Sequence, residues 1–118
     1  MVYHNANSDI IAFESAEGDF YCWEADGGCC SRSSWFEHLN GLDFLLGQTV
    51  NKVIERDMPE GRDDPTHDYL RFYGWTLETS LGRTDLEMRN ASNGYYGGNI
   101  YAYVGELNSN FKLLTEDF

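Results

Sequence analysis

Two segments, "YLRFYGWTLETS" and "TDLEMRNAS", are separated only by "LGR", and side chains alternate along both. Leu77 and Thr79 alternate with Thr76 and Glu78, and Leu86 and Met88 alternate with Glu87 and Arg89. A period of two sends one set of side chains to a buried face and the other to solvent, the mark of half-buried strands. A short glycine-containing link between two such runs predicts an antiparallel hairpin.

Other segments repeat the pattern. "DIIAFES" (Asp9 to Ser15) and the aromatic "DFYCWEA" (Asp19 to Ala25) meet at "AEGD", whose polar and glycine residues suit a tight turn. "QTVNKVIER" reads as a further strand. "NIYAYVGEL" reads as a last one, with Ile100, Ala102 and Val104 on one face and Tyr101 and Tyr103 on the other. In the tail, Phe111, Leu113 and Leu114 are candidates for packing.

One stretch breaks the period. Ser34 precedes "WFEHLNGLDFLLG", and Ser34 with Glu37 matches a capping box, in which a hydroxyl and a carboxylate satisfy amides at a helix start. Trp35, Leu39, Leu42 and Leu46 recur at spacings of three or four, as one helical face would. Gly41 would bend or interrupt this helix and Gly47 end it. The expected fold is therefore α+β: a largely antiparallel sheet of about five or six strands with one short helix packed on it.

With 118 residues, the chain is expected to be one domain, 1–118, with 1–8 and 108–118 flexible or peripheral. Residues 57–68, "DMPEGRDDPTHD", hold both prolines and a run of acids, and read as an exposed loop. Their spacing does not fit an EF-hand. No run approaches the length of a membrane span. The amino-terminal "MVYHNANSDIIAFES" lacks a basic stretch followed by an apolar one, so the expected compartment is a cytosol.

Twenty acidic and eight basic residues leave a net charge of −12. That argues against direct binding to nucleic acid or anionic membrane, where Lys and Arg do the work. It favours a partner with a basic surface, although a large net charge also serves solubility alone. The acidic candidates are Glu14, Glu17, Asp19, Glu24 and Asp26, then Asp57, Glu60, Asp63, Asp64 and Asp68.

Three cysteines without a secretion signal do not suggest a disulfide framework, and Cys22, within "FYCWEA", reads as a small buried hydrophobe. Cys29, Cys30 and Ser31 lead into Trp35, and the downstream loop "ASNGYYGGN" offers Asn93, Tyr95 and Tyr96. Asn93-Gly94 suits a positive-φ turn. Tyrosines on such a loop either present large contact area or cover the core. Adjacent cysteines suit neither one tetrahedral metal nor an established Cys-His pairing with His38, so no metal or cofactor is expected. The two loops are expected to lie close together and to form one binding site.

The segments "GGCCSRSSWFEH", "LLGQTVNKVIE" and "RNASNGYYGG" together resemble a family of small uncharacterised bacteriophage and prophage proteins. Gly27-Gly28 stands here where the family more often has glycine followed by an acid. The resemblance implies a phage or prophage source and a bacterial cytoplasm, and it implies no biochemical activity. The leading functional expectation is a non-enzymatic binding protein acting on a host protein, such as a CRISPR effector or another defence component, through a nucleic-acid-like acidic surface. The alternative is a small-molecule or nucleotide binder, an immune-signal sponge, with its pocket between the cysteine and tyrosine loops. A cysteine-dependent enzyme and a minor virion role stand behind these.

Overall fold

A computed structural model describes residues 1–27, 33–66, 68–92 and 98–118. The strands, in chain order, are β1 (Val2–Asn5), β2 (Ile10–Glu14), β3 (Phe20–Asp26), β4 (Ser33–Asn40), β5 (Lys52–Arg56), β6 (Arg62–Asp64), β7 (Asp68–Glu78), β8 (Arg83–Ser92), β9 (Asn99–Gly105) and β10 (Phe111–Leu113). They form two antiparallel sheets. Sheet A has the order β10-β1-β2-β3-β9, and sheet B has the order β4-β8-β7-β5 with β6 also paired to β7.

The local hairpins form as their alternation dictates. β2 pairs with β3 across a turn in which Gly18 adopts φ 86°. β7 pairs with β8 from Tyr69↔Ser92 to Glu78↔Arg83. Tyr73, Trp75 and Leu77 of β7 turn inward with Met88 and Leu86 of β8.

The expected α+β fold is wrong: the chain is nearly all β. The segment read as a helix is β4, followed by a single 3-10 turn, Leu42–Phe44. Trp35, Leu39, Leu42 and Leu46 do not form one face: Trp35 pairs with Arg89 and turns outward, while Leu39 and Leu42 are buried. The β4–β8 register shifts at a bulge between Phe36 and His38, so it is Phe36, three residues before Leu39, that shares the core with it. The presumed capping groups are engaged elsewhere. Ser34 accepts a hydrogen bond from Asn90 Nδ2 at 2.8 Å, and Glu37 accepts one from Trp35 Nε1. The sheet of five or six strands is likewise two sheets.

Residues near both ends are woven into these sheets. β1 pairs with β10 from Tyr3↔Leu113 to Asn5↔Phe111, and Leu114 N–H donates to the Val2 carbonyl at 2.8 Å. Phe118 exchanges two backbone hydrogen bonds with Leu39, at 2.8 and 3.1 Å, which ties the tail to sheet B. The acidic 57–68 segment is not wholly loop, because β6 lies within it.

The core lies between the inward faces. Val2, Ile11 and Ala25 come from sheet A, and Phe36, Leu39, Leu77, Leu86 and Met88 from sheet B. Leu42, Leu45 and Leu114 close the ends. Phe13 and Trp23 pack against this cluster, their rings edge-to-face at 5.3 Å.

Candidate functional site

The strand registers segregate charge between the two outward faces. On sheet B the outward positions carry Lys52, Arg56, Arg62, Arg83 and Arg89. Most of these are matched locally. Arg83 meets Glu78 at 2.8 Å, Arg89 meets Glu87 at 3.1 Å, and Arg56 lies 3.6 Å from Glu87 and 4.0 Å from Asp85. The guanidinium carbons of Arg89 and Arg62 lie 4.7 and 5.3 Å from the centre of the Phe72 ring.

Sheet A is the opposite. Its outward positions include Tyr3, Phe20, Tyr101, Tyr103 and Phe111, with Glu14, Glu24 and Asp26, and no Lys or Arg. The aromatic rings cover Ala12 and Cys22, which are buried although they sit on the outward side. Tyr3 and Phe20 pack edge-to-face at 5.9 Å. A Cβ added at Gly105 would lie 3.0 Å from the Tyr103 ring and 3.2 Å from the Cys22 sulfur, so the missing side chain lets that ring lie down on the strand.

Each flanking tyrosine is tied to a carboxylate: Tyr3 donates to Glu14 and Tyr103 to Glu24, both at 3.4 Å. Burial first, then the neighbouring carboxylate, raises the pKa of each phenol, so both remain neutral donors. Burial followed by Glu24 also raises the Cys22 thiol, which the Gly105 backbone only partly offsets. Tyr101 stays 58% exposed, so this face offers ring surface beside anionic oxygens. Such a surface can receive cationic side chains by charge and by ring contact.

Of the residues picked from sequence, Glu14, Glu24 and Asp26 fall on this face. Asp19 lies in the turn just before β3, its N–H donating to Ser15 Oγ, and Glu17 lines a cleft of about 690 Å³ with Phe13, Tyr21, Leu46 and Val50. Asp57, Glu60, Asp63, Asp64 and Asp68 belong instead to the β5–β7 region of sheet B, so the acids form two groups on different sheets. Trp35 lies on β4, paired with Arg89. Cys29, Cys30, Ser31, Asn93, Tyr95 and Tyr96 lie outside the described residues.

The strands that flank those two loops are neighbours at both ends. Asp26 pairs with Asn99 in sheet A, and Ser33 pairs with Ala91 in sheet B. Beneath the sheet B anchor the inward side is polar: Asn90 and Ser92 are fully buried, and Arg71 pairs with Asn90. Sequence reading missed Tyr3, Phe20 and Phe111 as parts of one face. Their strands alternate, but only the β1–β10, β1–β2 and β2–β3 registers bring them together.

Among the described residues, no group of three His, Cys, Asp or Glu is placed to hold a metal ion, and no helix is long and apolar enough to cross a membrane. No curated protein and no solved structure matches the chain. A family described as "Domain of unknown function (DUF7448)" matches residues 2–102, and the chain belongs to that family.

Proposed function

We propose that this is a non-enzymatic binding protein of phage or prophage type, which acts in a bacterial cytoplasm by holding a host protein through that protein's basic surface. The observation that carries this reading is the outward face of sheet A, where five aromatic residues and three carboxylates stand with no Lys or Arg among the described strand positions. On sheet B, Arg56, Arg83 and Arg89 each lie beside a carboxylate, whereas the outward strand positions of sheet A carry carboxylates and rings with no Lys or Arg among them. A nucleic-acid-binding host protein, such as a defence effector, presents the complementary chemistry of Lys and Arg interleaved with apolar surface.

A second reading, a pocket for a small anionic ligand such as a nucleotide, draws support from the polar interior beside Arg71, Asn90 and Ser92. One experiment separates the two. The tagged protein is used to capture partners from bacterial lysate, alongside the double variant Glu14→Gln/Glu24→Gln. The expected result is a basic protein that elutes as salt rises and whose recovery falls about tenfold or more with the double variant. Recovery that is unchanged by both salt and the variant refutes the acidic-face reading. A small molecule carried through purification, and lost in Arg71→Gln, supports the second reading.

A further inference from the structure

We propose that the free edge of β9 pairs with β9 of a second copy of the chain, joining two five-stranded A sheets into one ten-stranded antiparallel sheet about a two-fold axis at Ala102. This inference does not rest on the function proposed above.

The edge strands are β10 and β9 in sheet A and β4, β5 and β6 in sheet B, and all but β9 carry features that discourage further pairing. β4 has a bulge and holds Glu37 and His38; β5 holds Lys52, Glu55 and Arg56; β6 is three charged residues; β10 is three residues long and contains Lys112. β9 has none of these. It runs seven residues, Asn99–Gly105, in unbroken register with β3, and contains no charge and no proline. Its residues Tyr101 to Val104 are all exposed, Val104 to 65%.

The backbone of β9 is oriented for such pairing. Ala25 N–H donates to the Asp9 carbonyl at 2.7 Å, so Ala25 turns its polar groups toward β2 and away from β9. Its partner Ile100, and with it Ala102 and Val104, therefore turn N–H and C=O toward the free edge. Asn99 Oδ1 already occupies the Ile100 N–H at 2.8 Å, while no described group is bonded to the edge-facing N–H of Ala102 or Val104.

The chemistry of the strand selects a copy of itself as partner. Residues 100–104 read Ile-Tyr-Ala-Tyr-Val, which is nearly the same in either direction. An antiparallel pair centred on Ala102 sets Ile100 opposite Val104 of the other copy on one face. On the other face it sets Tyr101 opposite Tyr103. Both are favourable cross-strand pairs, and all edge-facing groups meet edge-facing groups. An unrelated strand would have no need of this symmetry, whereas an isologous interface requires it. The net charge of −12 per copy opposes association at long range, so pairing should strengthen as salt screens it.

The test is mass in solution, by sedimentation or light scattering, from about 10 to 300 μM protein at low salt and in about 0.5 M NaCl. The expected result is a rise from the 13.5 kDa chain toward twice that mass, greater at high salt. Ala102→Pro removes an edge-facing N–H that no described group of the monomer uses, and an edge strand tolerates proline there. It should abolish the rise while leaving the circular dichroism unchanged. Should that variant fail to fold, Val104→Lys places a charge at an exposed edge position and should give the same loss. In the wild type, exchange of the Ala102 and Val104 amides should slow as concentration increases. A chain that stays at single mass throughout overturns the proposal. So does a dimer that survives in whichever of the two variants folds.

Discussion

Replacing Gly41 by alanine tests how β4, the 3-10 turn and β8 are locked together. Gly41 adopts φ 86° and ψ 35°, a left-handed conformation that costs an L-residue about 1–2 kcal/mol. Reduced freedom of the unfolded chain returns roughly 0.4–1 kcal/mol of that. The larger effect is contact: a Cβ at this position would lie 2.7 Å from the Arg83 carbonyl oxygen and 3.2 Å from Phe44 Cδ2. The carbonyl is backbone of β8 and cannot swing aside. Displacing it strains a site where Thr84 Oγ1 donates to the Gly41 carbonyl at 2.7 Å, and overpacking of this kind costs about 1–3 kcal/mol. The sum is roughly 1–5 kcal/mol, centred near 3, a large part of the roughly 5–15 kcal/mol that holds a domain folded. Gly18 and Gly47 supply internal controls, since φ is 86° and 70° there but nothing lies within 4 Å of an added Cβ. Gly18→Ala and Gly47→Ala should each cost only about 1 kcal/mol. Urea unfolding followed by tryptophan fluorescence would measure all three at constant slope. If Gly41→Ala falls within about 0.5 kcal/mol of the two controls, the steric argument is refuted.

Asp117 and Cys22 give two further expectations. Asp117 accepts hydrogen bonds from the N–H groups of Leu42 at 2.8 Å and Gly41 at 3.1 Å, which lower its pKa below the usual carboxylate range. A lowered folded-state pKa stabilises the protein above the unfolded value, and this is lost as pH falls through the folded one. Thermal melts should therefore show Asp117→Asn furthest below wild type near neutral pH, with the gap closing under acid conditions; a gap independent of pH would contradict this. Cys22 is 2% exposed with a raised thiol pKa, so both access and thiolate fraction are low. Peptide mapping after maleimide treatment should find Cys22 unlabelled in the native protein and labelled after denaturation, and rapid native labelling would show that the aromatic cover is open.

What the sequence by itself determined is local. The hairpins β2–β3 and β7–β8 could be read because each joins alternating segments across a short turn, and β9 because Ile100, Ala102 and Val104 keep a period of two. The burial of Cys22 followed from its apolar, aromatic setting. β4 was decided by tertiary structure. Its Trp35 and Leu39 stand at a helical spacing, and only pairing with β8 through a bulge shows that Trp35 faces outward while Phe36 and Leu39 share the core. The division into two sheets, and the aromatic and acidic face of sheet A, depend on partners far apart in the chain: Tyr3 with Leu113, Cys22 with Tyr103, Ser33 with Ala91. Alternation along a strand says that two faces exist. Which face is buried, and which distant strand completes it, is set by hydrogen bonding and packing between segments that share no local pattern.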